Sequence, residues 1–372
     1  MPIKKLKEPS KQKKYLNKSL KELNLFVTGV GNVGSKLLEQ IHNQKAQLEN
    51  KLKIHIKIVG ISNSKKMIFD VAGIDLRNWS NKLKIGEIAD PKNFLSKSKD
   101  LNLKNSVFID NTSSQLIASY YEHYLKSNIS VVTCNKIACS GYYSNYQNLK
   151  NLSRKYGTSF LYETNVGAGL PIISTLNNLI NSGDKIISIH AVLSGSLNYI
   201  FNNFKNEDTF HEIVQNAMNK GYTEPDPEID LSGIDVARKI LILARESGKK
   251  IELSEIENKT FLPEKFKNLK TNDNFIESLK NHSAHFNEIL KRANKEKSKI
   301  KYVAEFINEK AKTGLRNIPK GHDFYNLEGN DNIVMFYTKR YSIQPIIVKG
   351  AGAGAEVTAA GIFTDIIEIS KQ

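Results

Sequence analysis

The feature that most constrains the fold is a glycine pattern at the end of a short apolar run. Residues 25–28 are followed by Gly29-x-Gly31-x-x-Gly34, and then by apolar residues at helical spacing: Leu37, Leu38 and Ile41. This order predicts a strand, a tight turn and a helix, with the helix N-terminus available to a pyrophosphate. The alternative is an ordinary strand–helix turn that uses glycine for a positive φ. We favour a dinucleotide site.

Further apolar runs alternate with helical stretches. Strands are predicted at 54–61, 106–109 and 129–133, so the N-terminal half is expected to form a parallel α/β sheet. After Gly157 we predict a strand at 186–193 and an apolar helix at 357–369. The polar, helix-rich region 252–309 is expected to be a surface insertion.

The end of the second predicted strand indicates which cofactor is preferred. Sites that prefer NAD usually carry a carboxylate there, for the ribose 2′-hydroxyl. Here the segment is Ser62-Asn63-Ser64-Lys65-Lys66, which has no acid and suits a 2′-phosphate. NADP is therefore favoured and NAD stays possible, while the alternative is a solvated loop in a lysine-rich protein.

An acidic loop and a helix together indicate proton-transfer chemistry. The loop 221–230 contains Glu224 and Asp230, and Asp235 stands four residues before Lys239, on the same helix face. A lysine beside carboxylates can protonate a carbonyl oxygen while the acids bind an amine. The alternative is a capped helix N-terminus with one exposed salt bridge. Lys136, at the carboxyl end of a predicted strand, is a second candidate, although a lysine there is often solvated.

Two further segments bear on metals and redox state. Residues 163–170 combine a carboxylate with a glycine-rich turn whose carbonyls could hold a cation, but a plain turn before Pro171 fits equally well. Cys134 and Cys139 have no accompanying metal ligands and are expected to be small core residues, in a reducing, cytoplasmic setting.

The charge of +16 raises the question of nucleic acid. Only seven of the 54 basic residues are Arg, and the lysines are scattered, so we expect solvated faces and no nucleic-acid partner. No apolar run approaches the roughly 18 residues of a membrane span, and no membrane association is expected. The basic residues 1–22 are expected to form a tail or linker.

These pieces, in this order, resemble the homoserine dehydrogenase family, most of all the dehydrogenase part of the fused aspartokinase–homoserine dehydrogenases. The residues that carry the resemblance are 27–34, 133–136, 163–171, 194–200, 221–239 and 350–361, and Gly221-Tyr222-Thr223-Glu224-Pro225-Asp226-Pro227 is the most specific of them. The match runs from about Leu23 to the end. We expect neither an aspartokinase module nor an added regulatory domain in these 372 residues, and therefore no feedback inhibition by threonine.

The resemblance implies NAD(P)H-dependent interconversion of L-aspartate 4-semialdehyde and L-homoserine, in threonine, methionine and isoleucine biosynthesis. It implies that Lys239 transfers the proton and that Lys136 assists. The expected substrate contacts are Glu224, Asp230 and Asp235. The expected cofactor contacts are Gly29, Gly31, Asn32, Val33, Gly34, Thr112, Ser113, Lys136 and Gly354, and a sodium ion would be held by Glu163, Val166, Ala168 and Leu170.

The resemblance also implies the domain plan. We expect an α/β fold, with a Rossmann-type NAD(P)-binding domain at 23–165 completed by 346–372. An α+β catalytic and dimerisation domain with a mixed sheet is expected at 166–345, giving a homodimer. The alternative function is a catalytically inactive NADP-binding regulatory or scaffold protein.

Overall fold

The computed structural model describes residues 20–205, 208–223, 226–268 and 272–371. Within these ranges the strands are β1 (Lys21–Thr28), β2 (Ile54–Ser62), β3 (Lys66–Phe69), β4 (Glu87–Ile88), β5 (Ser106–Asp110), β6 (Ser130–Thr133), β7 (Phe160–Leu161), β8 (Ile186–Val192), β9 (Glu257–Asn258), β10 (Ser298–Ile307), β11 (Lys310–Pro319), β12 (Asp331–Thr338) and β13 (Ile346–Ala351). The α-helices are α1 (Asn32–Gln47), α2 (Trp79–Lys84), α3 (Pro91–Asp100), α4 (Gln115–Ala118), α5 (Tyr121–Lys126), α6 (Ile137–Ser140), α7 (Tyr143–Tyr156), α8 (Ile172–Asn181), α9 (Gly195–Asn203), α10 (Phe210–Asn219), α11 (Pro227–Leu231), α12 (Ile234–Glu246), α13 (Asn272–Asn281), α14 (Ser283–Lys295) and α15 (Ala355–Ser370). Short 3₁₀ or π turns lie at Leu48–Leu52, Glu163–Asn165, Leu253–Glu255 and Glu264–Asn268.

The N-terminal half forms a seven-stranded sheet in the order β4-β3-β2-β1-β5-β6-β7. The five strands from β2 to β7 in that order pair in parallel, whereas β3 and β4 extend the β2 edge in antiparallel fashion. Their carboxyl ends therefore meet at one edge, where open α/β sheets bind ligands. The predicted parallel α/β sheet is confirmed.

Both faces of this sheet are covered, as a parallel sheet requires. Alternate residues of β1 point to opposite sides: Leu25 and Val27 pack with α1 and α15, and Phe26 packs with α3 and α5. The C-terminal helix α15 lies against α1 and buries Ile362 and Ile366 there. Each such buried side chain contributes about 1.5–3 kcal/mol through removal of apolar surface from water.

The second half forms a six-stranded mixed sheet in the order β13-β12-β8-β10-β11-β9. The pairs are antiparallel except for β9 with β11. Strands β10 and β11 form a hairpin with ten residue pairs. The helices α9, α12 and α14 contact β10. The predicted α+β part with a mixed sheet is confirmed.

The expectation that residues 252–309 form a surface insertion is wrong for its C-terminal part, residues 298–307. Strand β10 lies inside the second sheet between β8 and β11, and its residues 300–304 are buried. The error arose because lysines alternate through the strand, and one of them, Lys301, is fully buried. Strand β13 pairs with β12 in the second sheet, so residues 346–351 belong to that sheet and α15 alone packs on the first.

No helix in the described ranges is long and apolar enough to cross a membrane.

Candidate active site

Of the three glycines in the turn, only Gly31 has space for a side chain, whereas Gly29 and Gly34 have none. Gly29 has a φ of +86°, and a Cβ there would lie 2.8 Å from Thr112 Cγ2. A Cβ on Gly34 would lie 2.0 Å from the Gly29 carbonyl oxygen, so α1 can approach β1 only without that side chain. A Cβ on Gly31 would meet nothing within 4 Å. Gly31 is therefore the place where a ligand can reach the backbone.

The first turn of α1 presents free backbone donors beside Gly31. Asn32 and Val33 open the helix, and no side chain among the described residues caps it. Unpaired N–H groups at a helix start attract anions, an effect the helix dipole reinforces. The predicted contacts Gly29 to Gly34 thus form one anion-accepting turn.

A cavity of about 300 Å³ adjoins this turn. Its polar wall contains Thr28, Gly29, the 62–64 segment, Thr112 and Ser113, and its apolar wall includes Phe94, Ile117, Tyr120 and Tyr124. The cavity is mostly apolar with a few hydroxyl groups on one wall, and it suits a planar base with an attached ribose. The structure therefore brings Thr112 and Ser113 to the glycine turn.

The segment expected to face a 2′-phosphate is the turn between β2 and β3. Asn63 Oδ1 accepts the backbone N–H groups of Lys65 (2.8 Å) and Lys66 (2.7 Å), which shapes the turn. The Lys66 ammonium donates to the Gly86 carbonyl (2.9 Å), whereas Lys65 is exposed. Of the two lysines, Lys65 is the one whose charge faces solvent.

Three charged side chains meet between the two halves of the molecule. Asp235 Oδ2 lies 2.8 Å from Lys239 Nζ on the same face of α12, and Asp235 Oδ1 lies 3.4 Å from Lys136 Nζ, in the segment between β6 and α6. Lys239 is only 9% exposed and also donates to the Leu193 carbonyl (2.7 Å). The predicted pair at i, i+4 is thus part of a cluster of two lysines sharing one acid.

Electrostatics favour the charged forms of Asp235 and Lys136 in this cluster. Burial alone would raise the pKa of Asp235, but the two ammonium groups outweigh it and keep that pKa well below its usual range. The Asp235 carboxylate in turn raises the pKa of Lys136 against the opposing effect of burial. Lys136 is therefore a cation at neutral pH.

Lys136 is placed by a buried network at the carboxyl edge of the first sheet. Asp110, at the end of β5, accepts hydrogen bonds from Tyr121 Oη (2.5 Å), the Thr112 backbone N–H (2.7 Å) and Asn135 Nδ2 (3.1 Å). Burial raises the pKa of Asp110 in spite of these bonds. One buried acid thus orients both a cofactor-side residue and the neighbour of Lys136, a role that sequence reasoning missed.

Asp230, on α11, is tied to the junction of β8 and α9. Ser196 Oγ donates to Asp230 Oδ1 (2.7 Å), and Ser194 Oγ accepts from the Leu197 N–H (3.1 Å) and so caps α9. The same junction supplies the Leu193 carbonyl to Lys239. Asp230 and Lys239 therefore face a common piece of backbone. Glu224, predicted to bind substrate, lies outside the described residues.

The segment predicted to hold a cation brings two buried carboxyl groups together. The oxygens of Glu163 accept the N–H groups of Ile173 (2.6 Å) and Ser174 (2.8 Å) at the start of α8. Asp365 of α15 accepts the Glu163 backbone N–H (3.1 Å), and burial together with the Glu163 carboxylate raises the pKa of Asp365 to about 8. Val166 and Ala168 are buried and Leu170 half-buried in the turn that follows, where Ala168 has a φ of +53°. Asp365 was not foreseen, because its position in the sequence gives no sign of this contact.

The remaining predicted residues are placed as follows. Gly354 directly precedes α15, with a φ of +122°. Cys139 is buried and Cys134 half-buried, both as free thiols, and the described part of the chain holds no group of three or more His, Cys, Asp or Glu side chains that could bind a metal ion.

Comparison with family descriptions covers most of the chain. A family described as "Homoserine dehydrogenase" matches residues 171–367, and one described as "Homoserine dehydrogenase, NAD binding domain" matches residues 29–163. The two matches meet close to the point where the first sheet ends and α8 begins.

Full-length relatives point the same way. A Schizosaccharomyces pombe homoserine dehydrogenase is 37% identical over an alignment of 371 positions that covers 96% of this chain and 98% of that protein. A chloroplastic bifunctional aspartokinase/homoserine dehydrogenase 2 of Arabidopsis thaliana is 42% identical over 94% of this chain, but the chain spans only 38% of that protein's length.

Solved structures share the fold. A Candida auris protein of unknown function superposes with a TM-score of 0.86 at 33% identity, covering 95% of this chain and 99% of that one. A hyperthermophilic archaeal homoserine dehydrogenase in complex with NADPH gives a TM-score of 0.73 at 25% identity, covering 94% and 98%. The anion-accepting turn and the lysine cluster of the present chain thus lie in a fold shared with a protein that binds NADPH.

Proposed function

The chain belongs to the homoserine dehydrogenase family, and on that premise we propose that it reduces L-aspartate 4-semialdehyde to L-homoserine with NADPH. The observation that carries the proposal is the cluster in which Asp235 holds Lys239 and Lys136 together beside the carboxyl edge of the nucleotide-binding sheet. A bound nicotinamide would supply the hydride to the aldehyde carbon.

The residues present fit a dinucleotide. The open side of Gly31, the uncapped start of α1 and the adjoining cavity accept a pyrophosphate and a nucleoside. Ser64 and the exposed Lys65 at the β2–β3 turn are where a 2′-phosphate would find a hydroxyl and a positive charge. We therefore propose NADP as the preferred cofactor, and a comparison of kcat/KM for NADPH and NADH tests this preference.

The proton for the alcohol oxygen comes from the lysine cluster. Lys239 Nζ, anchored on Leu193 O and Asp235, is held in one orientation, which is what a general acid needs. The cation of Lys136 stabilises negative charge that develops on the carbonyl oxygen. Asp230, which accepts a hydrogen bond from Ser196, is proposed to bind the substrate ammonium, and Glu224 is proposed for the same task from the sequence alone.

We also propose a sodium site at 163–170. Glu163 and Asp365 form no salt bridge with a basic side chain in the described ranges, and burial raises the pKa of both carboxyl groups, so a bound cation would favour their ionised forms. Backbone oxygens of Val166, Ala168 and Leu170 are hard donors of the kind that sodium accepts. Replacing NaCl by choline chloride at constant ionic strength should lower the melting temperature if the site is filled.

Three further points remain predictions. The homodimer through the six-stranded sheet is tested by light scattering, where a monomer mass would contradict it. The domain division at residues 23–165, 166–345 and 346–372 also stays a prediction; the separate sheets agree with its first two parts, but β13 lies on the second sheet and only α15 of the last part packs on the first. The cytoplasmic location stays a prediction from cysteine usage.

The deciding experiment follows NADPH oxidation at 340 nm with the semialdehyde. We expect turnover by the wild type and a loss of about 100- to 10,000-fold in kcat for Lys239→Ala. Lys249→Ala, which removes a half-exposed lysine just after α12, should keep wild-type activity. NADPH binding without any turnover in the wild type would instead support the inactive scaffold.

A further inference from the structure

We propose that Arg245 and Glu246, at the far end of α12, are positioning residues that set the distance between Asp235 and Lys136. They lie outside the reacting cluster and bind α12 to the nucleotide-binding half of the molecule. The inference rests on the proposed function only for its kinetic consequence.

Arg245 connects the same two elements that Lys136 and Asp235 connect. Its side chain is fully buried, and its Nη1 donates to the Cys139 carbonyl (2.7 Å). Cys139 lies on α6, the short helix that begins directly after Lys136. Helices α6 and α12 are thus joined at two points, the Lys136–Asp235 pair at one and the Arg245–Cys139 bond at the other.

The rest of the Arg245 guanidinium fixes its own direction. Nε and Nη2 donate to the Ile251 carbonyl (3.1 and 3.0 Å), and Nη2 donates to Glu252 Oε2 (3.0 Å). The Glu252 carboxylate also accepts the Tyr143 backbone N–H (3.0 Å) at the start of α7. The planar Arg245 guanidinium makes four hydrogen bonds and therefore has little rotational freedom. Its bond to Cys139 thus fixes the position of α6 relative to α12.

Glu246 gives α12 a second attachment to the first half. Its carboxylate is nearly fully buried and accepts hydrogen bonds from the hydroxyls of Tyr146 (2.5 Å) and Tyr162, with Lys150 Nζ 3.3 Å away. Tyr146 and Lys150 belong to α7, and Tyr162 directly follows β7. Because buried ion pairs add little net stability over apolar packing, the three partners of this one carboxylate indicate a geometric role.

Because α12 is long, its attachment at the Arg245 end determines where Asp235 lies near the other end. Ten residues separate Asp235 from Arg245, which is about 15 Å along a helix. A small rotation of α12 about its Arg245 end is therefore amplified into a displacement of the Asp235 carboxylate near the other end of the helix. The Lys136–Asp235 separation of 3.4 Å leaves little room before the contact is lost, and a 1 Å misplacement can cost about 100-fold in rate.

The test is a double-mutant cycle that combines Arg245→Met with Lys136→Ala. In the wild-type background, Arg245→Met should lower kcat about 10- to 100-fold and leave the KM for NADPH within about twofold, because the glycine turn is not touched. In the Lys136→Ala background the same change should cost at most about threefold. Equal losses in both backgrounds would overturn the inference, since Arg245 would then act by general destabilisation.

The matched control is Lys301→Met, which removes another fully buried cation from the second sheet. Its effect on kcat should be the same with and without Lys136. Should Arg245→Met fail to fold, Tyr162→Phe removes a single hydroxyl from Glu246 and should show the same dependence on Lys136, in smaller measure. Absence of that dependence would count against the inference.

A second readout needs no turnover. Lys136 is a cation stabilised by Asp235, so in the wild type acetic anhydride should modify it slowly at pH 8, as followed by mass spectrometry. Arg245→Met should speed the modification of Lys136 severalfold, whereas Lys301→Met should leave it unchanged. A wild type without dehydrogenase activity would refute the proposed function, yet the modification rates would still decide the inference.

Discussion

Lys301 offers the sharpest quantitative prediction, because it is a lysine with no exposed surface in the middle of a sheet. Its ammonium donates to Asn198 Oδ1 (2.8 Å), Asn202 Oδ1 (2.6 Å) and the Leu327 carbonyl, all of them neutral oxygens. Burial without a carboxylate partner lowers the pKa of Lys301 from about 10.5 to about 8. The perturbation is Lys301→Met, which keeps the length of the side chain and removes the titration.

The direction in which the free energy of unfolding changes with pH follows from the number of protons that the folded and unfolded chains bind. Below pH 8 the lysine is protonated in both the folded and the unfolded chain, so the cost of burying the charge is constant. Between pH 8 and 10.5 the unfolded chain binds one proton more than the folded chain, and the free energy of unfolding rises with pH. At about 1.4 kcal/mol per pH unit, the shift of Lys301 corresponds to about 3 kcal/mol over the full range.

The assay is urea unfolding of wild type and Lys301→Met at pH 7.5, 8.5 and 9.5, at one protein concentration. The stability of the wild type relative to the variant should increase by about 2 kcal/mol from pH 7.5 to 9.5, since roughly 1.5 units of that interval lie above the folded pKa. A difference that stays constant within about 0.5 kcal/mol would show that Lys301 is not desolvated as the structure indicates.

Three further predictions concern the site. Asp235→Asn removes the carboxylate that raises the pKa of Lys136, so that pKa should fall and kcat should drop about 100-fold; a pH–rate profile with an unmoved basic limb would contradict this. Gly34→Ala places a Cβ 2.0 Å from Gly29 O and should destabilise the fold by about 1–3 kcal/mol, whereas Gly31→Ala points into open space and should act mainly on the Kd for NADPH; urea unfolding and fluorescence titration separate the two. Ser64→Asp puts a carboxylate beside the ribose position and should shift the kcat/KM ratio toward NADH at least about tenfold; an unchanged ratio would place the 2′-phosphate elsewhere.

The first sheet could be predicted from the sequence because its signals are local. The apolar runs before Gly29, at 54–61, at 106–109 and at 129–133 match β1, β2, β5 and β6 within a few residues. In a parallel sheet covered on both faces, strands are continuously apolar and stand out from their surroundings. The glycine pattern then fixes which strand carries the nucleotide turn.

The second sheet was largely missed because its strands alternate. Strand β10 has lysines at positions 299 and 301, and nothing local distinguishes the half-buried Lys299 from the fully buried Lys301. The oxygens that satisfy Lys301 come from α9, about 100 residues earlier, and from the segment before β12. Such a residue is recognisable only after the fold has brought its partners together.

In the site too, a contact between residues close in the sequence was predicted, whereas contacts between distant segments were not. The spacing of Asp235 and Lys239 predicted a shared helix face, and the structure places their charged atoms 2.8 Å apart. The contact with Lys136 joins segments about 100 residues apart, and the Leu193 carbonyl is a backbone atom without any sequence signature. Lys136 was a candidate from its place at the end of a predicted strand, and resemblance to a family supplied its role, whereas neither spacing nor resemblance gave a role to Leu193 or Ser196.

The lysine-rich composition sharpens the case for this cluster. In a chain with 54 basic residues, a lysine near an acid is expected by chance, and most such pairs here lie at the surface, where they contribute little. Asp235 differs because it serves two lysines from separate halves of the molecule, and because Lys239, one of the two, is almost without exposure. Burying a cation in such an ion pair adds little stability over apolar packing, so stability alone does not explain this arrangement. The distinction between functional and background lysines thus lies in burial and in shared partners, and both depend on how α12 is anchored.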